Sequence, residues 1–195
     1  MNSRVLANCI VGMVLFNACS GAQTATPASK PPDSAQPSTK LEAFLGKRGR
    51  LVVKDFYDLG RVSSLGSAEF NGLVIYEPAG PQKIKGLRVE VTESGSLERS
   101  NTSFIDLDEL PSLSDAISYI SDLSRKWSGQ RHEPYTEVIY VSKGEFSVGF
   151  YQRGTDASAF VRSGTIGAAT AYLKTPDLER MKTLVDQAVV LLNSK

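Results

Sequence analysis

From residue 51 onward the hydrophobic positions recur at a spacing of two, then at three and four, then again at two, and finally at three and four. Alternation at two marks a half-buried strand, whereas the three-and-four spacing marks one apolar helical face. The first block predicts four strands: Leu51–Asp58, Ala68–Tyr76, Lys83–Thr92 and Ser103–Leu107. The third is the clearest, with Leu87, Val89 and Val91 on one face and Arg88 and Glu90 on the other. Leu113, Ala116, Ile117, Ile120, Leu123 and Trp127 then describe a helix. Ser112 with Asp115 three places on predicts its capping box, and Gly129 its end. Strands resume at Tyr135–Ser142 and Glu145–Tyr151, joined tightly at Lys143-Gly144. Ala157–Arg162 and Ile166–Leu173 predict further strands. Thr175 as cap and Pro176 at the first helical position open a last helix, with Leu178, Met181, Leu184, Val185, Ala188, Leu191 and Leu192 as its buried stripe.

This order, four strands, helix, three or four strands, helix, predicts an α+β domain. Short connections imply an antiparallel sheet of seven or eight strands, with one-sided helices covering it. Two strand–helix halves are another way to read the same order, although the two stretches share no sequence similarity. At the level of fold alone, the order also resembles a pleckstrin-homology-like barrel capped by its C-terminal helix, with the middle helix as an insertion. Lone glycines inside strands, Gly72, Gly86 and Gly149, predict bends or close approaches.

Upstream of the domain the pattern changes. Arg4 precedes a short apolar run from Val5 to Phe16, and the small residues Ala18, Cys19, Ser20 and Gly21 follow. A charged start, a brief apolar run and a small-residue zone describe an export signal, and the run is too short to span a bilayer. The stretch Leu15-Phe16-Asn17-Ala18-Cys19-Ser20-Gly21 resembles the lipobox of bacterial lipoproteins, although Phe16 and Asn17 depart from its preferred residues. The resemblance implies cleavage before Cys19 and a lipid on that cysteine. It further implies, through Ser20, an outer-membrane address facing the periplasm in a Gram-negative cell. An ordinary signal cut near Ser20 or Ala22 is the alternative. Residues 20–40, rich in Ser, Thr, Ala and Pro, bury too little to fold and predict a tether. The expected organisation is a signal at 1–18, lipidated Cys19 and tether at 19–40, and one domain at 41–195.

Composition removes several classes of function. The net charge is +1, and Arg4 is the only charged residue before Cys19, so a chain cut there is nearly neutral. Nucleic-acid binders carry a basic surplus, so no nucleic-acid partner is expected. The two cysteines are Cys9 and Cys19, so a processed domain holds no thiol for a disulfide, a nucleophile or a metal. His132 is the single histidine; a hydrolase built on it would need a positioned serine and acid, and no Gly-x-Ser-x-Gly turn is present. The acids Asp106, Asp108 and Glu109 miss the spacing of a calcium loop, because Leu110 and Pro111 interrupt it. Gly46-Lys47-Arg48-Gly49 has the outline of a nucleic-acid-binding GXXG loop but is followed by a strand. The basic run Lys47, Arg48 and Arg50 would otherwise face solvent or lipid headgroups. Trp127, Tyr135, Tyr140 and Tyr151 are near enough in sequence to line one surface for a peptide or glycan, or else to fill the core. No catalytic, cofactor-binding or metal residue is assigned, and no cofactor is expected. The expected function is a membrane-anchored, non-enzymatic binding or accessory module of the cell envelope, held by lipid on Cys19 and partnered by an envelope protein or small ligand. An envelope hydrolase using His132 and a structural component of an envelope assembly are the alternatives.

Overall fold

The computed structural model describes residues 37–95 and 98–195. Cys19, the signal and most of the expected tether lie outside the described residues. Eight strands and two long helices follow the predicted order: β1 (Val53–Ser64), β2 (Gly66–Tyr76), β3 (Lys83–Thr92), β4 (Ser100–Asp106), a long helix at Leu110–Trp127, β5 (His132–Val141), β6 (Phe146–Gly154), β7 (Asp156–Ser163), β8 (Ala169–Leu173) and a C-terminal helix at Asp177–Asn193. A short helix, Lys40–Leu45, precedes them. In chain order the helices are α1 (Lys40–Leu45), α2 (Leu110–Trp127) and α3 (Asp177–Asn193).

The strands form two antiparallel sheets of four, β1-β2-β3-β4 and β5-β6-β7-β8, here called A and B. This corrects the expectation of one seven- or eight-stranded sheet and of a pleckstrin-homology-like barrel. Helix α2 interrupts the chain between β4 and β5, so those strands do not pair. The two sheets pack on each other, and their edges are joined where Leu65, at the tip of the β1–β2 hairpin, exchanges two backbone hydrogen bonds with Tyr172 of β8 (3.0 and 2.9 Å). Helix α3 lies against β1, β2 and β3, and α2 lies against β5 and β6. Phe70 of β2 meets Phe146 of β6 edge to face at 6.4 Å inside the shared core. Nearby, the buried Ser103 and Ser163 hydroxyls bond to each other at 2.7 Å.

Helix α1 explains why β2 is apolar on both faces. Its Leu41 and Phe44 cover Leu73 and Ile75 on the outer side of sheet A, while Phe70 and Val74 face the main core. Gly86 is the contact point, since a Cβ there would strike Leu41 and the Ile105 carbonyl. Thr39 and Glu42 form a capping box at the start of α1. Asp106 then accepts from the Lys40 and Leu41 amides (2.8 and 3.1 Å), fastening the helix to the end of β4.

Several boundaries differ from the pattern. Strand β1 continues past Asp58 to Ser64, and the alternation does not show this because a bulge between Asp58 and Gly60, with Gly60 at φ 130°, breaks it. Helix α2 starts at Leu110 rather than at a Ser112 cap; Pro111 fits the first turn, and a 3-10 turn at Leu107–Glu109 feeds directly into it. Thr175 does not cap α3, which begins at Asp177; that residue's own carboxylate reaches back to the Lys174 amide at 3.0 Å. Ile166 belongs to the loop before β8 and is 94% exposed.

A tyrosine cleft as candidate functional site

Sheet B shows its inner face to α2 and the core, and its outer face to solvent. Alternation sends Val138 and Tyr140 of β5 inward, and Tyr135, Glu137, Ile139 and Val141 outward. Register then places Tyr151 of β6 opposite Glu137, Phe160 of β7 opposite Gly149 and Tyr172, and Arg162 opposite Thr170. Tyr135, Glu137, Tyr151, Phe160, Arg162, Thr170 and Tyr172 thereby enclose a cleft of about 310 Å³.

Phe160 points outward yet is only 4% exposed. Its ring lies over Gly149, where a Cβ would collide with the Val138 carbonyl and with that ring. The missing side chain thus lets an aromatic ring lie flat on the sheet. The tyrosines stand around it. The Tyr135 and Tyr151 rings are 5.7 Å apart and tilted by 30°, and Tyr172 stands nearly perpendicular to Tyr151, at 89° and 6.3 Å. Tyr135 is 54% exposed and Tyr172 45%, so apolar ring surface is open to a ligand. Glu137 and Arg162 add one charge of each sign. Partial desolvation, then the Glu137 carboxylate, push the Tyr135 phenol above its ordinary range.

Of the four aromatic residues grouped by sequence, the structure brings Tyr135 and Tyr151 to this cleft and sends the other two inward. Trp127 packs edge to face on Phe150 at 5.4 Å and against His132 at 4.3 Å. Tyr140 points its hydroxyl at Glu109. Parity along β5 carries this distinction, since 135 and 140 are an odd and an even position. Phe160, Arg162, Thr170 and Tyr172 were missed, because only strand register reveals that they join the site.

The other candidates have structural partners. His132 opens β5, and among the described residues no serine or carboxylate is hydrogen-bonded to it. The acids at 106–109 diverge: Asp106 holds α1, Asp108 pairs with Lys40 at 2.7 Å, and Glu109 accepts from the Lys143 amide at 2.9 Å. Lys47 sits over the Phe44 ring and Arg50 pairs with Glu77. A larger cleft of about 500 Å³, lined by Lys40, Lys83 and Lys85, has its cations engaged: Lys83 and Lys85 bond to the Lys195 and Leu192 carbonyls at the end of α3. Among the described residues no cluster of acids, histidines or cysteines is suited to a metal, and no helix is long and apolar enough to cross a membrane.

No protein-family model matches this chain, and no curated protein matches it.

Proposed function

We propose that this protein is a lipid-anchored, non-enzymatic binding module of the cell envelope, and that its ligand occupies the tyrosine cleft of sheet B. The observation that carries the reading is the concentration of Tyr135, Tyr151, Phe160 and Tyr172 on the solvent side of an antiparallel sheet, where alternation ordinarily places polar residues. Aromatic rings with one polar tip are suited to contact surfaces that are partly apolar and partly wet. The apolar run from Val5 to Phe16, with Cys19 three places beyond it, supports the anchor.

Two measurements test the two halves. A fragment screen on the full-length protein, read by amide chemical shifts, is expected to move Tyr135, Tyr151, Phe160, Arg162 and Tyr172. Shifts confined to another surface would remove the cleft from the proposal. Metabolic labelling with a fatty-acid analogue is expected to mark the protein and to fail in Cys19→Ser; equal labelling of that variant would sink the anchor.

A further inference from the structure

We infer that the ligand of the tyrosine cleft is a neutral, pyranose-type saccharide. The inference rests on the reading of this cleft as a binding site and adds the chemistry of its occupant.

Charge narrows the class. Glu137 of β5 and Arg162 of β7, with β6 between them, bring one charge of each sign to the cleft, so the pair favours a ligand without net charge. Ring geometry narrows it further. An aromatic cage for a quaternary ammonium must hold two ring faces apart with the cation between them. Tyr135 and Tyr151 lie 5.7 Å apart, already in contact with one another, which leaves no such space. An extended peptide that adds to a sheet uses the free backbone groups of an edge strand. This cleft lies on the face of the sheet, where side chains are presented instead.

What remains matches a sugar ring. A pyranose has a C–H face that packs on an aromatic ring and a perimeter of hydroxyls that need both donors and acceptors. The cleft supplies aromatic surface from Tyr135, Tyr151 and Tyr172. Around them stand a carboxylate acceptor (Glu137), a guanidinium donor (Arg162), the Thr170 hydroxyl and the phenols. The volume, about 310 Å³, lies at the lower end of the roughly 300–1,000 Å³ range of small-molecule sites, which suits one or two sugar units rather than a long chain.

The test is calorimetric titration of the full-length protein, held in a sugar-free detergent, with cellotetraose, maltotetraose and tetra-N-acetylchitotetraose. Saturable binding of at least one is expected. Tyr135→Ala and Tyr151→Ala should each weaken it about tenfold or more, whereas Tyr151→Phe, which keeps the ring, should stay within about threefold of the parent. Tyr135 is half exposed, so its truncation leaves the core intact, and an unchanged melting temperature verifies that variant. Binding that both alanine variants retain overturns the inference, as does the absence of binding by all three saccharides. In that last case, fragment-induced shifts confined to the cleft would leave the binding reading standing with a different ligand. Shifts elsewhere would remove both.

Discussion

Gly149 shows how one absent side chain shapes the site. Its hydrogen atom faces the Phe160 ring and the Val138 carbonyl, and neither backbone nor a buried ring yields readily. Gly149→Ala is therefore expected to cost about 1–3 kcal/mol, read from the urea midpoint, and to lift Phe160 out of the cleft floor. An alanine variant as stable as the parent would contradict this packing. Glu69 of β2 and Asp108, in the 3-10 turn after β4, titrate in a predictable way. The Asn71 amide beside Glu69, and the Lys40 ammonium beside Asp108, hold both carboxyls below their ordinary range. The folded state thus binds these protons less readily than the unfolded chain. Their stabilising contribution is full above the ordinary carboxyl range and fades as the pH falls through it toward the folded values. Asp108 is exposed and Glu69 is more than a third exposed, so the effect on stability is small and the clearer readout is the titration itself. Carboxyl-carbon NMR should find both midpoints depressed. High salt should raise that of Asp108, held mainly by a cation, more than that of Glu69, held first by a neutral amide. Equal salt responses would refute this division of causes.

At the scale of elements, α1 is the part least legible in the sequence. Six residues are too few for a periodicity, and the run LEAFL follows directly on a stretch that reads as tether. The local signal was present: Thr39 and Glu42 stand at capping-box spacing, immediately around the apolar Leu41. What the sequence does not show is Asp106, some sixty residues away, whose carboxylate accepts two amides of this one helix. Thr39→Ala is expected to cost about 1 kcal/mol and Asp106→Ala about 1–3 kcal/mol, the latter because it leaves part-buried amides without a partner. Hydrogen exchange should localise both losses to the Lys40–Leu45 helix and to Leu73 and Ile75 beneath it. A uniform loss of protection across both sheets would argue against α1 as a docked, separately released element. The strands were far more legible, because Leu87, Val89 and Val91 bury one face while Arg88 and Glu90 stay outside. Prediction failed where a bulge broke the alternation at Gly60, and where α1 made the second face of β2 apolar as well.

At the scale of the whole molecule, the order of elements was readable, but the association of its halves was not. Each half consists of four antiparallel strands followed by a helix. Each of those helices covers strands of the other half: α2 lies on β5 and β6, and α3 on β1, β2 and β3. No local pattern encodes such an exchange, since an apolar stripe such as Leu178, Met181, Val185, Ala188 and Leu192 states only that a helix is buried, not on which sheet. The same limit hid the site, for Tyr172 joins Tyr135 and Tyr151 only through the pairing of β6, β7 and β8. The exchange has a consequence for folding. One continuous core draws Phe70, Leu87 and Val89 from sheet A, Phe146, Val148 and Phe150 from sheet B, and the stripes of both long helices. Ser114 and Ser121 of α2 also bond to Asp186 and Glu179 of α3 across the helix pair. A chain divided after Gly129 leaves sheet A without α3 and sheet B without α2, so each fragment exposes the apolar face that its partner's helix would cover. Residues 37–129 and 130–195, produced separately, are expected to give collapsed amide spectra without native dispersion. Mixed in equal amounts, they should restore the dispersed spectrum with one-to-one stoichiometry. Native dispersion in either fragment alone would show that a half can bury its own sheet, and that the crossed helices are an embellishment of two independent units rather than the condition for folding.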